Sequence, residues 1–499
     1  MSWRLVVTMV VLGSRVALAA PVLRVEGRAF KDAAGRTVLL RGVNVAGDSK
    51  VPPFKPITRA DMLTPLRGWG LNAIRLLFTW EAYEPTPGAH DAGYLDYYVQ
   101  AVRWAHEAGL YVIVDFHQDG FGRALLGGCG EGFPAWAIAP GIPQATPDNG
   151  PSCVNWGSRL LSDQPTHDAF DAFYADTAGA RTRYLAMVKS VATRLASEPG
   201  VIGYDPINEP WGDEVTQVGP LEHDAARAIR EAAPDTIIFL SPNAITSVGT
   251  PSALPRPTLT NYAFSPHYYN TFVASLHQWD GSGVSEAMKT MDDKAAEWGV
   301  PLLVGEMGAA PDTSRGAEYL DALYAELDAR LASATQWVYT PGWTPQKFDG
   351  WNVEDFSIVD DKGALRQNFR PRPYPAKIAG TPVRFAVSAS ALELTWMNDP
   401  ALGATELYIP AGLFGSGTPA ADGSSVKCSF ADASHAACTS ARTGEVTVRV
   451  HARGGDSSCG LTGAEPLLLL AALALGRRLR LRRRRGASSA AAARDGRRG

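Results

Sequence analysis

Several things are missing from this chain, and each absence removes a class of function. There is no cluster of His and Cys with the spacing of a metal site, so no metal is expected. There is no glycine-rich phosphate loop, so no nucleotide cofactor is expected either. The folded body is short of positive charge. A formal net charge of −4 hides this, because residues 477–499 hold 10 Arg and one Asp, and residues 1–20 hold two Arg and no acid. Between those ends stand 35 basic and 50 acidic residues. Such a body repels polyanions, which argues against nucleic acid as a partner. The C-terminal apolar run, Pro466–Gly476, is about half the length a membrane span needs.

What is present is an ordinary globular composition, 45% hydrophobic and 20% charged. The 499 residues suffice for one large domain and a smaller one. Residues 1–20 read as a secretory signal. Arg4 precedes an apolar run, and Ala17-Leu18-Ala19 gives the small-residue cleavage pattern, although Gly13-Ser14-Arg15 interrupts the run. An uncleaved anchor is the alternative. Export permits disulfides. Cys129 and Cys153 share one loop-like region and Cys428 and Cys438 another. Pairing within regions leaves Cys459 over.

From Val22 to Arg41 the chain reads as a hairpin turning at Lys31–Gly35. Strand and helix patterns then alternate. The strand candidates are Val38–Val45, Asn72–Phe78, Tyr111–His117, Val201–Glu209, Thr236–Pro242, Tyr262–Tyr269, Pro301–Gly308 and Gln336–Gly342. Helical patterns lie between most of them, at Tyr94–Gly109, Arg181–Ser197, Asp224–Ala233, Ala287–Gly299 and Ala317–Ser333. Eight such units predict an α/β fold, a (β/α)8 TIM barrel over residues 21–375. A long insertion at about 120–180 follows strand three. It is rich in Gly and Pro and carries Phe121, Phe133, Trp136 and Trp156. Residues 376–453 show alternating strand runs and predict a C-terminal β-sandwich. Residues 454–499 hold Cys459, the short apolar run and an Arg cluster.

Two glutamates close apolar, strand-like runs: Glu209 in Ile-Asn-Glu-Pro and Glu306 in Leu-Leu-Val-Gly-Glu-Met-Gly. Strand ends at the mouth of a parallel barrel are where that fold keeps its chemistry. Two carboxylates flanking one bond are the minimum equipment for glycoside hydrolysis. One of them must hold a proton at the working pH and the other must be ionised. Arg75 lies inside the apolar strand Ile-Arg-Leu-Leu, where an unpaired guanidinium is costly, so it is expected to hold a carboxylate in the barrel mouth.

Asn208-Glu209-Pro210 and Glu306, counted to strands four and seven, resemble the retaining glycoside hydrolases of family 5. The resemblance implies Glu209 as acid/base and Glu306 as nucleophile. It places an Arg at Arg75 and matches His267 and Tyr269 to a His-x-Tyr pattern that orients the carboxylates. Asn208 would donate to the sugar 2-hydroxyl. A narrower resemblance rests on Asp115-Phe116-His117-Gln118-Asp119-Gly120-Phe121 and on Gly42-Val43-Asn44-Val45 with Lys50. These are similar to the endoglycoceramidase branch, which releases an intact glycan from ceramide. By carry-over Lys50, His117 and Asp119 would contact the first sugar, and Trp337 would floor it.

The expected partner is thus a glycolipid or oligosaccharide, bound by a monomer. The alternatives are a β-glucanase or β-mannanase of the same family, a glucosylceramidase that takes one sugar, and a non-catalytic surface carbohydrate-binding protein. The tail resembles a myxobacterial-type surface sorting tail, implying a secreted or cell-surface protein of a bacterial envelope, with possible membrane or surface attachment through the tail.

Overall fold

The computed structural model describes residues 22–388, 391–413, 419–432 and 434–452. The signal-like residues 1–20 and the tail 454–499, with Cys459, lie outside the described residues.

Eight parallel strands close into a barrel. They are Arg41–Val45, Ala73–Thr79, Tyr111–His117, Val201–Asp205, Ile237–Leu240, Tyr262–Phe264 continued at His267–Tyr268, Leu303–Val304 continued at Glu306–Met307, and Ser333–Tyr339. Strand eight pairs with strand one. Strands six and seven meet at Phe264–Leu302 and at His267–Glu306, which completes the ring. The strand residues are buried almost without exception, as parallel strands covered on both faces must be.

Amphipathic helices form the outer layer at Ala92–Glu107, Ala180–Leu195, Gly219–Ala232, Val284–Trp298 and Gly316–Arg330. In Ala92–Glu107 the buried Tyr94, Tyr98, Val102 and Ala105 recur every three or four residues, and Asp91 caps the start by accepting from the Tyr94 N–H. Val284–Trp298 stops at Gly299, whose φ of 71° is left-handed. No α-helix follows strand five. A short 3-10 turn, Ala244–Val248, and a proline-containing segment take its place.

The β-sandwich differs from the expectation at its edge. Its larger sheet has seven strands, and three of them, Leu23–Glu26, Ala29–Asp32 and Thr37–Val38, come from the N-terminus. Thr37–Val38 pairs with Lys377–Ile378 of the strand Tyr374–Ile378. The boundary drawn at 375/376 therefore cuts through a strand, and residues 23–38 belong to the sandwich sheet rather than to the barrel. The run Val38–Val45 is two strands in two sheets, not one. The hairpin at 22–41 is three strands, with an extra turn at Gly27 (φ 57°). The second sheet holds Gly380–Val387, Ala391–Asn398, Pro419–Asp422 and Gly444–Ala452. Tyr374, Leu407, Leu394, Trp396 and Val448 are among the residues that fill the space between the sheets.

The 120–180 insertion folds over the mouth of the barrel. Phe121, Leu125, Leu126 and Phe133 are fully buried in it. Cys129 and Cys153 form a disulfide with Cα atoms 5.5 Å apart, and Cys428 and Cys438 form another across neighbouring strands.

Candidate active site

Arg75 organises the mouth of the barrel. It points inward from strand two and is wholly buried. Its Nη1 donates to Glu306 Oε1 at 2.8 Å and to Asn44 Oδ1 at 3.0 Å. Its Nη2 donates to Asp115 Oδ1, Asp205 Oδ2 and Asn208 Oδ1 at 2.8–2.9 Å. Four barrel strands and the turn after strand four thus converge on one guanidinium. Burial alone would lower its affinity for a proton, but the charges of Asp115, Asp205 and Glu306 outweigh this and raise it.

Glu306 stands on strand seven. Besides Arg75 it receives the Tyr269 hydroxyl, Oη to Oε2 at 2.9 Å. Burial and the Glu306 charge push Tyr269 well above the ordinary tyrosine range, so it remains a donor. Glu209 follows strand four in a turn whose backbone takes φ 36° at Glu209 itself, a conformation side chains rarely adopt. Gln118 holds that turn, its Nε2 donating to the carbonyls of Asn208 at 2.7 Å and Glu209 at 3.1 Å. Burial first, then the nearby Asp119 charge, push Glu209 up to about 7.

His267 Nδ1 lies 2.9 Å from Glu209 Oε1 and 3.6 Å from Glu306 Oε2. Burial pulls His267 down to about 4, so it stands as a neutral imidazole between the two acids. An oxygen of Glu209, an oxygen of Glu306 and a nitrogen of His267 all lie within 4.8 Å of one another.

A second group of charged and aromatic side chains lies nearby. Lys50 Nζ is 2.5 Å from Asp119 Oδ2, and it lies 4.5 Å from the ring centre of Trp337. His117 stacks on Trp337 at 5.8 Å and 12°. Its Nδ1 is 2.7 Å from Asp115 Oδ2. Burial opposes a charge on His117, but Asp115 and Asp119 outweigh it and hold the ring at about 10, as an imidazolium. Asn208 Nδ2 donates to the Gln118 carbonyl at 3.1 Å and more loosely to Asp119 Oδ1 at 3.4 Å. Every residue expected from the sequence, Lys50, Arg75, His117, Asp119, Asn208, Glu209, His267, Tyr269, Glu306 and Trp337, lies in or beside this one mouth.

Sequence reasoning missed others. Asp115 and Asp205 are acids inside apolar strands, the same signal that exposed Arg75. Glu131 lies on the insertion, fully buried, and burial pushes it up to about 8. Glu354 and Trp351 come from the loop after strand eight, where no periodicity marks them. The ring centre of Trp351 lies 4.1 Å from Lys50 Nζ, and Glu354 is pushed up to about 7 by burial. Trp156 of the insertion donates to Glu354 Oε1 at 2.8 Å, which ties the insertion to that loop.

His117, Asp119 and Glu131 form a second set of three ligand-type groups within 4.8 Å of one another. The Lys50 ammonium already supplies a cation there.

A parallel barrel that brings two carboxylates together at its C-terminal mouth, Glu306 buried and Glu209 half-buried, defines a barrel glycosidase. The family model described as Cellulase (glycosyl hydrolase family 5) matches residues 31–342, and that of the glycoside hydrolase family 5 C-terminal domain matches residues 372–451. The chain belongs to glycoside hydrolase family 5 and is a glycoside hydrolase. It is 28% identical over 423 residues to endoglycoceramidase I of Rhodococcus hoagii (strain 103S), covering 78% of this chain and 79% of that one. It is 36% identical over 141 residues to a glucosylceramidase of Aspergillus fumigatus, covering 23% of this chain and 18% of that one. Among solved structures it resembles endo-glycoceramidase II from Rhodococcus sp. in its ganglioside GM3 complex. The TM-score is 0.72 at 25% identity, over 85% of this chain and 99% of that one.

Proposed function

We propose that this enzyme is a retaining endo-glycosidase that hydrolyses the bond between oligosaccharide and ceramide in glycosphingolipids. The observation that carries the reaction type is the close approach of Glu209 and Glu306, with oxygens within 4.8 Å. Retaining enzymes keep their carboxyl groups about 5–5.5 Å apart, and inverting ones leave room for a water between them.

In the first step Glu306 attacks the anomeric carbon. The bond from that carbon to the ceramide oxygen breaks, and Glu209 gives its proton to the departing oxygen. Arg75 and Tyr269 each donate to one Glu306 oxygen, which fixes the direction of attack. In the second step Glu209, now ionised, takes a proton from water. The water oxygen attacks the same carbon and frees Glu306. The longer of the two Asn208 Nδ2 contacts, at 3.4 Å, is the one a sugar 2-hydroxyl would take over. Lys50, Asp119 and His117 supply charged partners for the other hydroxyls, and Trp337 an apolar face for the ring.

The glycolipid assignment is supported by the names of the relatives and by the solved GM3 complex of one of them. A glucosylceramidase, taking one sugar, is the second reading. It draws on Trp156, Trp351 and Glu354 closing around Lys50.

The test is mass spectrometry and proton NMR on products from a ganglioside, glucosylceramide, carboxymethylcellulose and mannan at equal enzyme concentration. Free ceramide with an intact oligosaccharide of retained configuration is expected. Faster cleavage of either polysaccharide sinks the substrate assignment, and an inverted first product sinks the mechanism. We further propose a monomer exported by residues 1–20 and sorted to the cell surface by the tail, on the sequence features given above.

A further inference from the structure

The mechanism leaves one buried acid beside the mouth without a task. Glu131 of the insertion is wholly buried, and neither of its carboxyl oxygens has a hydrogen-bond partner. Among the described residues no other buried acid leaves both oxygens unpaired. A polar group in that state is costly, and an apolar side chain of similar size would pack there at less cost. Packing alone therefore gives no reason for a glutamate.

The backbone sets this carboxyl in place. Glu131 N donates to the Asp119 carbonyl at 2.8 Å, and Asp119 N donates to the Glu131 carbonyl at 3.1 Å. Glycines stand on both sides. A Cβ at Gly132 would lie 2.5 Å from Gln118 Cα, and one at Gly130 would lie 2.4 Å from the Gly122 carbonyl oxygen. Gly132 also takes a φ of 108°, which side chains rarely adopt. Its carbonyl accepts from Glu81 N at 2.8 Å, which fastens the segment just beyond strand two. The insertion thus approaches strand three closely enough for Glu131 to face His117.

His117 Nε2 lies 3.6 Å from Glu131 Oε1 and 3.4 Å from Asp119 Oδ2. As an imidazolium, His117 carries a proton on both ring nitrogens. Asp115 takes the one on Nδ1, at 2.7 Å. The one on Nε2 is left between two carboxyls and bonds well to neither. Asp119 Oδ2 already takes the Lys50 ammonium at 2.5 Å. Burial raises Glu131 to about 8, so below that pH it is a neutral acid whose carbonyl oxygen still accepts.

We propose that Glu131 is a positioning residue, the alternative acceptor for His117 Nε2–H that frees the Asp119 carboxylate for a sugar hydroxyl. When the hydroxyl donates to Asp119, the Nε2–H turns to Glu131 Oε1. No proton changes owner. The imidazolium keeps both N–H groups paired, and its charge stays beside the sugar. Without Glu131, engaging Asp119 would leave a buried N–H of a cation unpaired, so the loss falls on sugar binding. The proposal rests on the reading that Asp119 contacts the sugar.

The experiment measures binding of an aryl glycoside by calorimetry in Glu306→Ala protein, which lacks the nucleophile. Glu131→Leu removes the acceptor, and Glu131→Gln keeps it. In that background Glu131→Leu should weaken binding by roughly ten-fold, and Glu131→Gln by less than about two-fold. With Asp119→Asn also present, Glu131→Leu should add little, because the contact it serves is already impaired. With Glu306 restored, Glu131→Leu should raise KM and leave kcat near its wild-type value, a split that a merely structural role would not produce. Unchanged binding in Glu131→Leu, equal losses in Glu131→Leu and Glu131→Gln, or full additivity with Asp119→Asn overturns the proposal. Should Glu131→Leu not fold, the NMR resonance of the His117 Nε2 proton in Glu306→Ala protein decides. It should move when the glycoside binds, and a stationary resonance overturns the proposal. Asp119→Asn that binds the glycoside as tightly as its parent overturns the sugar contact as well, whereas a loss at Asp119 with none at Glu131 overturns the proposal alone.

Discussion

Arg75 Nη1 lies 2.8 Å from Glu306 Oε1, while its Nη2 binds Asp115 and Asp205. One cation therefore ties the strand-seven glutamate to the middle of the barrel. Arg75→Lys keeps the charge but cannot span these acceptors, because an ammonium lacks the planar fork. We expect the melting temperature to fall and kcat to drop by at least about 100-fold. Breaking a buried ion pair costs roughly 3–5 kcal/mol, because the partners are left uncompensated. Thermal unfolding and steady-state kinetics on one substrate check both effects.

Glu209 sets the alkaline limb. Burial and the Asp119 charge push it up to about 7, so its proton is present below that pH and lost above it. The kcat/KM profile should fall above about pH 7. Glu209→Gln should remove the limb and lower kcat/KM by roughly 10²–10⁴ on a substrate with a poor leaving group. An aryl glycoside with a good leaving group should lose far less, since it needs no proton. A limb that persists in the variant would assign it to another group.

Stability should decline as pH rises. Glu131 is pushed from 4.5 to about 8, and Glu354 from 4.5 to about 7, burial being the largest cause in each. A carboxyl raised on folding binds its proton more tightly in the native state. Its contribution is present in full below about pH 4.5 and is lost as pH rises through its folded value. The melting temperature should therefore drop between pH 5 and pH 8.5. Glu131→Gln should flatten the upper part of that drop, which calorimetry across the range would measure.

The Cys129–Cys153 bridge closes a loop with a sequence separation of 24 in the insertion. Removing it frees that loop in the unfolded chain, which costs roughly 3 kcal/mol in the chain-entropy model. Cys129→Ser with Cys153→Ser should lower the denaturant midpoint. It should also lower kcat/KM, because Trp156 lies three residues beyond Cys153 and reaches Glu354. An unchanged midpoint would show that packing alone holds the insertion.

Removal of the chain beyond about residue 455 should leave activity and melting temperature unchanged and should abolish surface display. Activity assays and surface labelling of cells with and without the tail separate the two parts. Loss of folding would refute the first, and continued display the second.

The sequence alone determined the barrel, the two glutamates and both disulfides. Buried parallel strands demand continuous apolar runs, and amphipathic helices repeat every three to four residues, so both leave periodic marks. A guanidinium inside such a run must be paired, which is why Arg75 stood out, and Glu209 and Glu306 stood out because they close such runs where a parallel barrel opens. Asp119, His117 and Lys50 were legible only through a family pattern.

Tertiary structure decided the rest. That residues 23–38 join the C-terminal sandwich follows from a pairing across more than 300 residues, Thr37 with Ile378, and strand edges carry no label of their partner. Trp351 and Glu354 reach Lys50, and Glu131 reaches His117, from irregular loops, where a side chain's direction is set by what it packs against rather than by its neighbours in the chain. The pH at which Glu209 gives up its proton was equally out of reach of sequence. It depends on burial and on the distance to Asp119, and both exist only once the barrel has closed.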